Sequence, residues 1–175
     1  MIETKDLIIK KAEYDDWPNI YHNLWIHDES AKHMLWNTTK SEEDAKIRIK
    51  KTISYQEKNP FSYFVFEKRT EQAIGFAGMI EISPHVYEDT GIAIGPSFIR
   101  KGYGRQILMA LVQKAFIELN AEKFVASCRS QNFASRQLQL ACGFIYSHSE
   151  ERVDPRDDKP YILDFYELNN NHRKL

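Results

Sequence analysis

Apolar and polar positions follow two distinct periods along this chain, and the switches between them mark its elements. Residues 7–11 open with Leu7, Ile8 and Ile9, which predict a short strand. Asp15 and Asp16 then precede Trp17-Pro18, an acidic first turn with proline near a helix start. Trp17, Ile20, Tyr21, Leu24 and Trp25 follow at helical spacing. A second helix is predicted from the capping pattern Ser41-Glu42-Glu43-Asp44, carries Ala45, Ile49 and Ile53 inward, and stops at Asn59-Pro60. Residues 61–67 are aromatic and β-branched. A polar turn leads from them into 73–82, where Ile74, Phe76, Ile80 and Ile82 keep a period of two, so the pair reads as a hairpin.

A further strand at 91–95 precedes the clearest element, a helix over 104–119. Its stripe is Ile107, Leu108, Leu111, Val112, Ala115, Phe116 and Leu119, with Asn120 as a left-handed stop. Residues 123–128 predict a strand, 132–142 a short helix closed by Gly143, and 144–149 and 161–168 two more strands. No linker or repeat interrupts the series, so 1–168 are expected to form one domain and 169–175 a polar tail. The order β-α-α-β-β-β-α-β-α-β-β predicts an α/β fold. It would hold a mixed sheet of six to seven strands with about four helices on both faces.

Charge narrows the partners. A net charge of −1 over 175 residues argues against nucleic-acid binding through a broad basic face. No apolar run reaches the ~18 residues needed to span a bilayer, and Met1 to Asp6 make no signal peptide. Two cysteines, Cys128 and Cys142, cannot build a disulfide scaffold. A cytoplasmic protein with neither membrane nor nucleic-acid partner is expected. His22, His27 and His33 lack the spacing of metal ligands and read as surface or packing residues, so no metal is expected.

The chemistry concentrates in one stretch. Of seven glycines, Gly91, Gly95, Gly102 and Gly104 fall within fourteen residues, where a strand runs through Ile99-Arg100-Lys101-Gly102-Tyr103-Gly104-Arg105 into the long helix. Glycines before a helix admit positive φ and let a bulky anion approach the backbone. Free N–H groups and the positive end of the helix dipole favour phosphate, and Arg100, Lys101 and Arg105 add mobile positive charge. A pyrophosphate site is the physical expectation. The string is not a P-loop, and a dinucleotide fingerprint would need a third glycine where Ile107 stands. A plain strand-to-helix turn is the alternative.

The run from Gly91 to Arg105, with Asn132-x-x-Ser135 and Cys142-Gly143-Phe144 downstream, resembles the GNAT superfamily of acetyl-CoA-dependent N-acetyltransferases. Asn132-x-x-Ser135 and Leu163-Asp164-Phe165-Tyr166 resemble its RimJ/RimL branch, which acts on ribosomal-protein N-termini. The resemblance implies a mostly antiparallel sheet, splayed between the fourth and fifth strands, with acetyl-CoA as acetyl-donor cosubstrate. It implies that Ile99, Arg100, Lys101, Gly102, Tyr103, Gly104 and Arg105 hold the CoA pyrophosphate, largely through backbone amides. Ile92, Ala93 and Ile94 would pair with the pantetheine arm, and Asn132 and Ser135 would lie near the thioester. Asn132 is equally a helix cap. Relatives that use a tyrosine acid and a glutamate base carry them where this chain has Gln139 and Ser127, so that mechanism does not transfer. Ile99 also departs from the Arg or Gln that often opens the loop.

An amine nucleophile must be neutral, which an α-amine of pKa ~7.8 achieves far more readily than a lysine at ~10.4. Asp89, Glu88, Glu81 and His85 lie near the strands leading into the loop. Asp89 is the expected proton acceptor and Ser135 the expected donor to the departing sulfur. Residues 147–168 hold seven acids against three bases, which suggests an acidic rim attractive to cationic amines. The expected function is acetyl transfer from acetyl-CoA to a primary amine, favouring a protein or peptide N-terminus. The alternatives are a polyamine or aminoglycoside acceptor and a non-catalytic acyl-CoA-binding module. An exposed sheet edge is the expected surface for a homodimer.

Overall fold

A computed structural model describes residues 1–170 of the chain. Eight strands form one sheet: β1 (Ile2–Glu3), β2 (Leu7–Lys10), β3 (Ser62–Glu67), β4 (Ala73–Ser83), β5 (Val86–Ile94), β6 (Lys123–Arg129), β7 (Ile145–Val153) and β8 (Pro160–Asn169). Their order is β1-β2-β3-β4-β5-β6-β8-β7, and only the β5–β6 pair is parallel. The helices are α1 (Trp17–Ile20), α2 (Asp28–Ala31), α3 (Glu42–Lys58), α4 (Tyr103–Gln113) and α5 (Phe133–Ala141). Among the described residues no helix is long and apolar enough to cross a membrane.

The period-two pattern divides the core between the two faces of the sheet. On β3, Tyr63 and Val65 join Leu7, Ile9, Ile107, Leu111, Phe124 and Phe144 under α4. Their neighbours Phe64 and Phe66 join Ile20, Leu24, Trp25 and Ile49 beneath α1 and α3. Helices therefore cover both faces, as the pattern predicts. The stripe of α4 puts Ile107, Leu108 and Leu111 at no more than 1% exposure, each such side chain adding about 1.5–3 kcal/mol of apolar burial.

The differences from the predicted elements are local. The sheet has eight strands rather than six to seven, because Ile2–Glu3 pairs with Ile9 and Ile8 in a bridge too short to show a period. A short fifth helix, α2, was likewise not predicted. β5 begins at Val86, not at 91: His85 takes φ 64° and makes the β4–β5 turn tight. The predicted helix over 17–25 is α only to Ile20 and continues as a π-helical turn, Tyr21–Trp25. Similarly, α4 passes into a π-helical turn, Lys114–Glu118, before Asn120 at φ 55° stops it. Asn169 belongs to β8 and Asn170 donates to the Ala121 carbonyl, so the predicted tail is ordered at its start. Its remainder, 171–175, lies outside the described residues.

Candidate active site

The site begins as a defect in the sheet. β5 pairs with β6 only at Val86, Tyr87 and Glu88, and beyond them the strands part. These are the fourth and fifth strands of the sequence pattern, and the predicted splay lies between them. Its local cause is a bulge: β5 advances from Asp89 to Ile92 while β4 advances only from Met79 to Ala77. Gly91 within the bulge has φ 105°, a conformation open to glycine and strained for other residues. Asp89 spans the opening, its Oδ1 accepting the Ser127 backbone N–H at 3.1 Å.

From this opening a cleft of about 420 Å³ runs to the start of α4. Gly102 caps that helix with φ 77°, and among the described residues no side chain bonds the helix start. A Cβ built at Gly102 would have nothing within 4 Å, whereas one at Gly104 would meet Leu138 of α5 at 3.1 Å. The loop thus presents uncapped N–H groups in open space at the positive end of an eleven-residue helix. Arg100, itself at φ 62°, and Arg105 also line the cleft.

Most of the residues singled out from the sequence meet here: Asp89, Ile92, Ile94, Ile99, Arg100, Gly102, Tyr103, Gly104, Arg105, Asn132 and Ser135 all line the cleft. Two do not. The Ala93 side chain belongs to the opposite core, beneath α1 and α3, which the strand alternation requires. The Lys101 side chain turns away to Glu67, 3.2 Å distant. The other candidate proton acceptors also lie elsewhere. Glu81 accepts the backbone N–H of His85 at the hairpin tip, and Glu88 is raised in pKa by burial and faces Arg152 and Glu150.

Asp89 has the environment of a base. Burial drives its pKa up to about 7, against the lowering effect of the Ser127 and Gly91 N–H groups. Asn132 caps α5, its side-chain oxygen accepting the Ser135 N–H at 3.2 Å, so it is both cap and cleft wall. Gln139, where relatives carry tyrosine, is buried and donates to Ser135 Oγ at 3.4 Å while its oxygen faces Cys128 Sγ at 3.8 Å. Burial pushes the Cys128 thiol up to about 11. Cys142, also buried, is shifted the same way by the same cause.

His33 and Met34 complete the cleft wall, Met34 beside Gly91; the sequence pointed to His33 only as a surface or packing residue and did not single out Met34. The only available signal was their place between two helices, in a segment without period. His33 is held below its usual pKa by burial and by the positive charges of Lys32 and Arg129. The segment carrying it is tied down from a distance: Arg156 donates to the carbonyls of Ala31 at 2.9 Å and Trp36 at 3.2 Å. Asp154 accepts from both Arg156 and Arg129. The acidic rim suggested by composition is partly ion-paired. Asp154, Glu150, Asp157 and Glu167 are ion-paired, and Asp164 accepts from Ser149.

A family profile described as "Acetyltransferase (GNAT) domain" matches residues 6–145. The chain is 26% identical over 143 residues, 81% of each chain, to the uncharacterized N-acetyltransferase YnaD of Bacillus subtilis (strain 168). Its fold is similar to the ribosomal L7/L12 alpha-N-protein acetyltransferase RimL in complex with coenzyme A. There the TM-score is 0.77 at 17% identity, over 95% of both chains. The fold is also similar to spermidine N-acetyltransferase from Vibrio cholerae in complex with CoA and spermine, with TM-score 0.74 at 19% identity over 95% of this chain and 96% of that one.

Proposed function

The chain belongs to the GNAT acetyltransferase family, and on that footing we propose that this enzyme moves acetyl from acetyl-CoA directly to a primary amine. The favoured acceptor is the α-amine of a protein or peptide, as in the RimJ/RimL branch, within a single domain spanning 1–168. One observation carries this choice. Asp89 stands where β5 and β6 part, with its carboxyl poised at a pKa of about 7. An α-amine lies roughly one pKa unit above that value and a lysine-type amine more than three, a difference of about 3–4 kcal/mol in proton transfer.

The residues fit the donor. Gly102 leaves open space beside uncapped N–H groups, Arg100 and Arg105 supply charge for a diphosphate, and the splay leaves β5 backbone groups free for an amide-bearing arm. Acetyl-CoA, when bound, supplies the activated acyl group as a thioester. Asp89 accepts the amine proton, directly or through water. Backbone N–H groups near Ile94 face the negative charge that grows on the acyl oxygen. Ser135, whose Oγ accepts from Gln139 and bonds Cys128, is placed to donate a hydrogen bond to the departing thiolate, while the proton that the amine loses is taken by Asp89.

Following CoA thiol release with a panel of amines tests the proposal. Turnover with N-terminal peptides, and little with spermidine or free lysine side chains, is expected. Turnover confined to spermidine or kanamycin overturns the acceptor assignment, and CoA binding without any turnover overturns the transfer itself.

A further inference from the structure

Glu67, at the end of β3, has a side chain only 1% exposed, and its carboxylate takes no part in the chemistry above. A buried carboxylate is costly unless it is fully paired, and this one is. Its Oε2 accepts from Thr70 at 2.9 Å and lies 3.6 Å from Arg69, both in the β3–β4 turn. Its Oε1 accepts from the Tyr103 hydroxyl at 2.7 Å and from Lys101 Nζ at 3.2 Å.

Lys101 and Tyr103 are the two neighbours of Gly102. One oxygen therefore grips both flanks of the residue that turns the loop into α4, from outside the cleft lining. Gly102 at φ 77° has no side chain to hold it there, and its tie to the helix is the Gln106 N–H donating to its carbonyl at 3.3 Å. Lys101, drawn to Glu67 and lying 5.0 Å from the Phe98 ring, is also withdrawn from the cleft, which leaves Arg100 and Arg105 to face it. We propose that Glu67 is a positioning residue for the cofactor: it fixes the diphosphate loop from behind, through Tyr103 and Lys101, without touching the ligand. This deepens the assignment of the cleft to CoA and rests on it.

Burial works against the Glu67 charge, but the hydrogen bonds from Tyr103, Thr70 and Lys101 outweigh it and hold the carboxyl below its usual pKa. The grip is thus in place at neutral pH.

Titration of the unaltered protein, Glu67→Gln and Tyr103→Phe with CoA and with pantetheine, which lacks the diphosphate and nucleotide, tests the proposal. Each variant is expected to raise the Kd for CoA about tenfold and to leave that for pantetheine within about twofold. The double variant should be little worse than either single one, since both cut the same link. Equal losses for both ligands would indicate general damage and overturn the proposal, as would unchanged CoA affinity in Tyr103→Phe, the milder change. Failure of the unaltered protein to bind CoA would instead remove the assignment of the cleft itself, and this inference with it.

Discussion

Asp89 reduces the catalytic question to one carboxyl. With its pKa near 7, kcat/KM for an N-terminal peptide is expected to rise through an inflection near pH 7. Asp89→Asn should lose that inflection and about a hundredfold in rate, keeping only the titration of the acceptor amine. A second measurement checks the same group without catalysis. Its folded pKa is raised above the unfolded value of ~3.9, so its stabilising contribution is complete below that value and is lost as pH rises through about 7. Asp89→Asn should therefore melt higher than the unaltered protein at pH 8, and the gain should shrink towards nothing near pH 4. Asp89 is the proton acceptor the sequence leads one to expect over Glu88 and Glu81, but the sequence does not show the geometry behind that choice. Only the bulge decides which of these carboxyls faces the opening.

At the scale of elements, the splay depends on the bulge at Gly91. A side chain there would be strained by φ 105° and would press on Met34 at 3.2 Å. Gly91→Ala is expected to cost about 1–3 kcal/mol of stability in a denaturant titration and to weaken CoA binding by distorting the gap, more than its stability loss alone explains. The long helix, the glycine loop and the hairpin were legible because each has a local cause: a 3.6 period, positive-φ glycines, and alternation about a polar turn. The β1 bridge and α2 were not, since two and four residues carry no period and form through tertiary contacts. The pairing within the acidic rim was not legible for a similar reason. Composition counts charges, whereas the pairing of Asp154 with Arg129 is made by residues that only the fold brings together.

Across the whole molecule, Asp154 and Arg156 join the β7–β8 loop to the segment that bears His33. Arg156→Ala removes the bonds to Ala31 and Trp36. Hydrogen exchange should accelerate at 31–36, the segment whose His33 and Met34 line the cleft. Asp154 and Glu67 share a pH signature. Hydrogen bonds hold both carboxyls below their ordinary pKa, so the stability they give is complete above the unfolded values of ~3.9 and ~4.3 and is lost as the solution is acidified through the folded ones. A pH series of melting temperatures should fall steeply below about pH 4, and less steeply in Arg156→Ala. The two sulfhydryls have a practical consequence. Cys128 and Cys142 are 6% and 9% exposed and both are shifted towards the protonated form, so the native enzyme should be nearly silent to disulfide dyes. Colour in such a reaction would then report liberated coenzyme, and a slow background would measure how often the molecule opens.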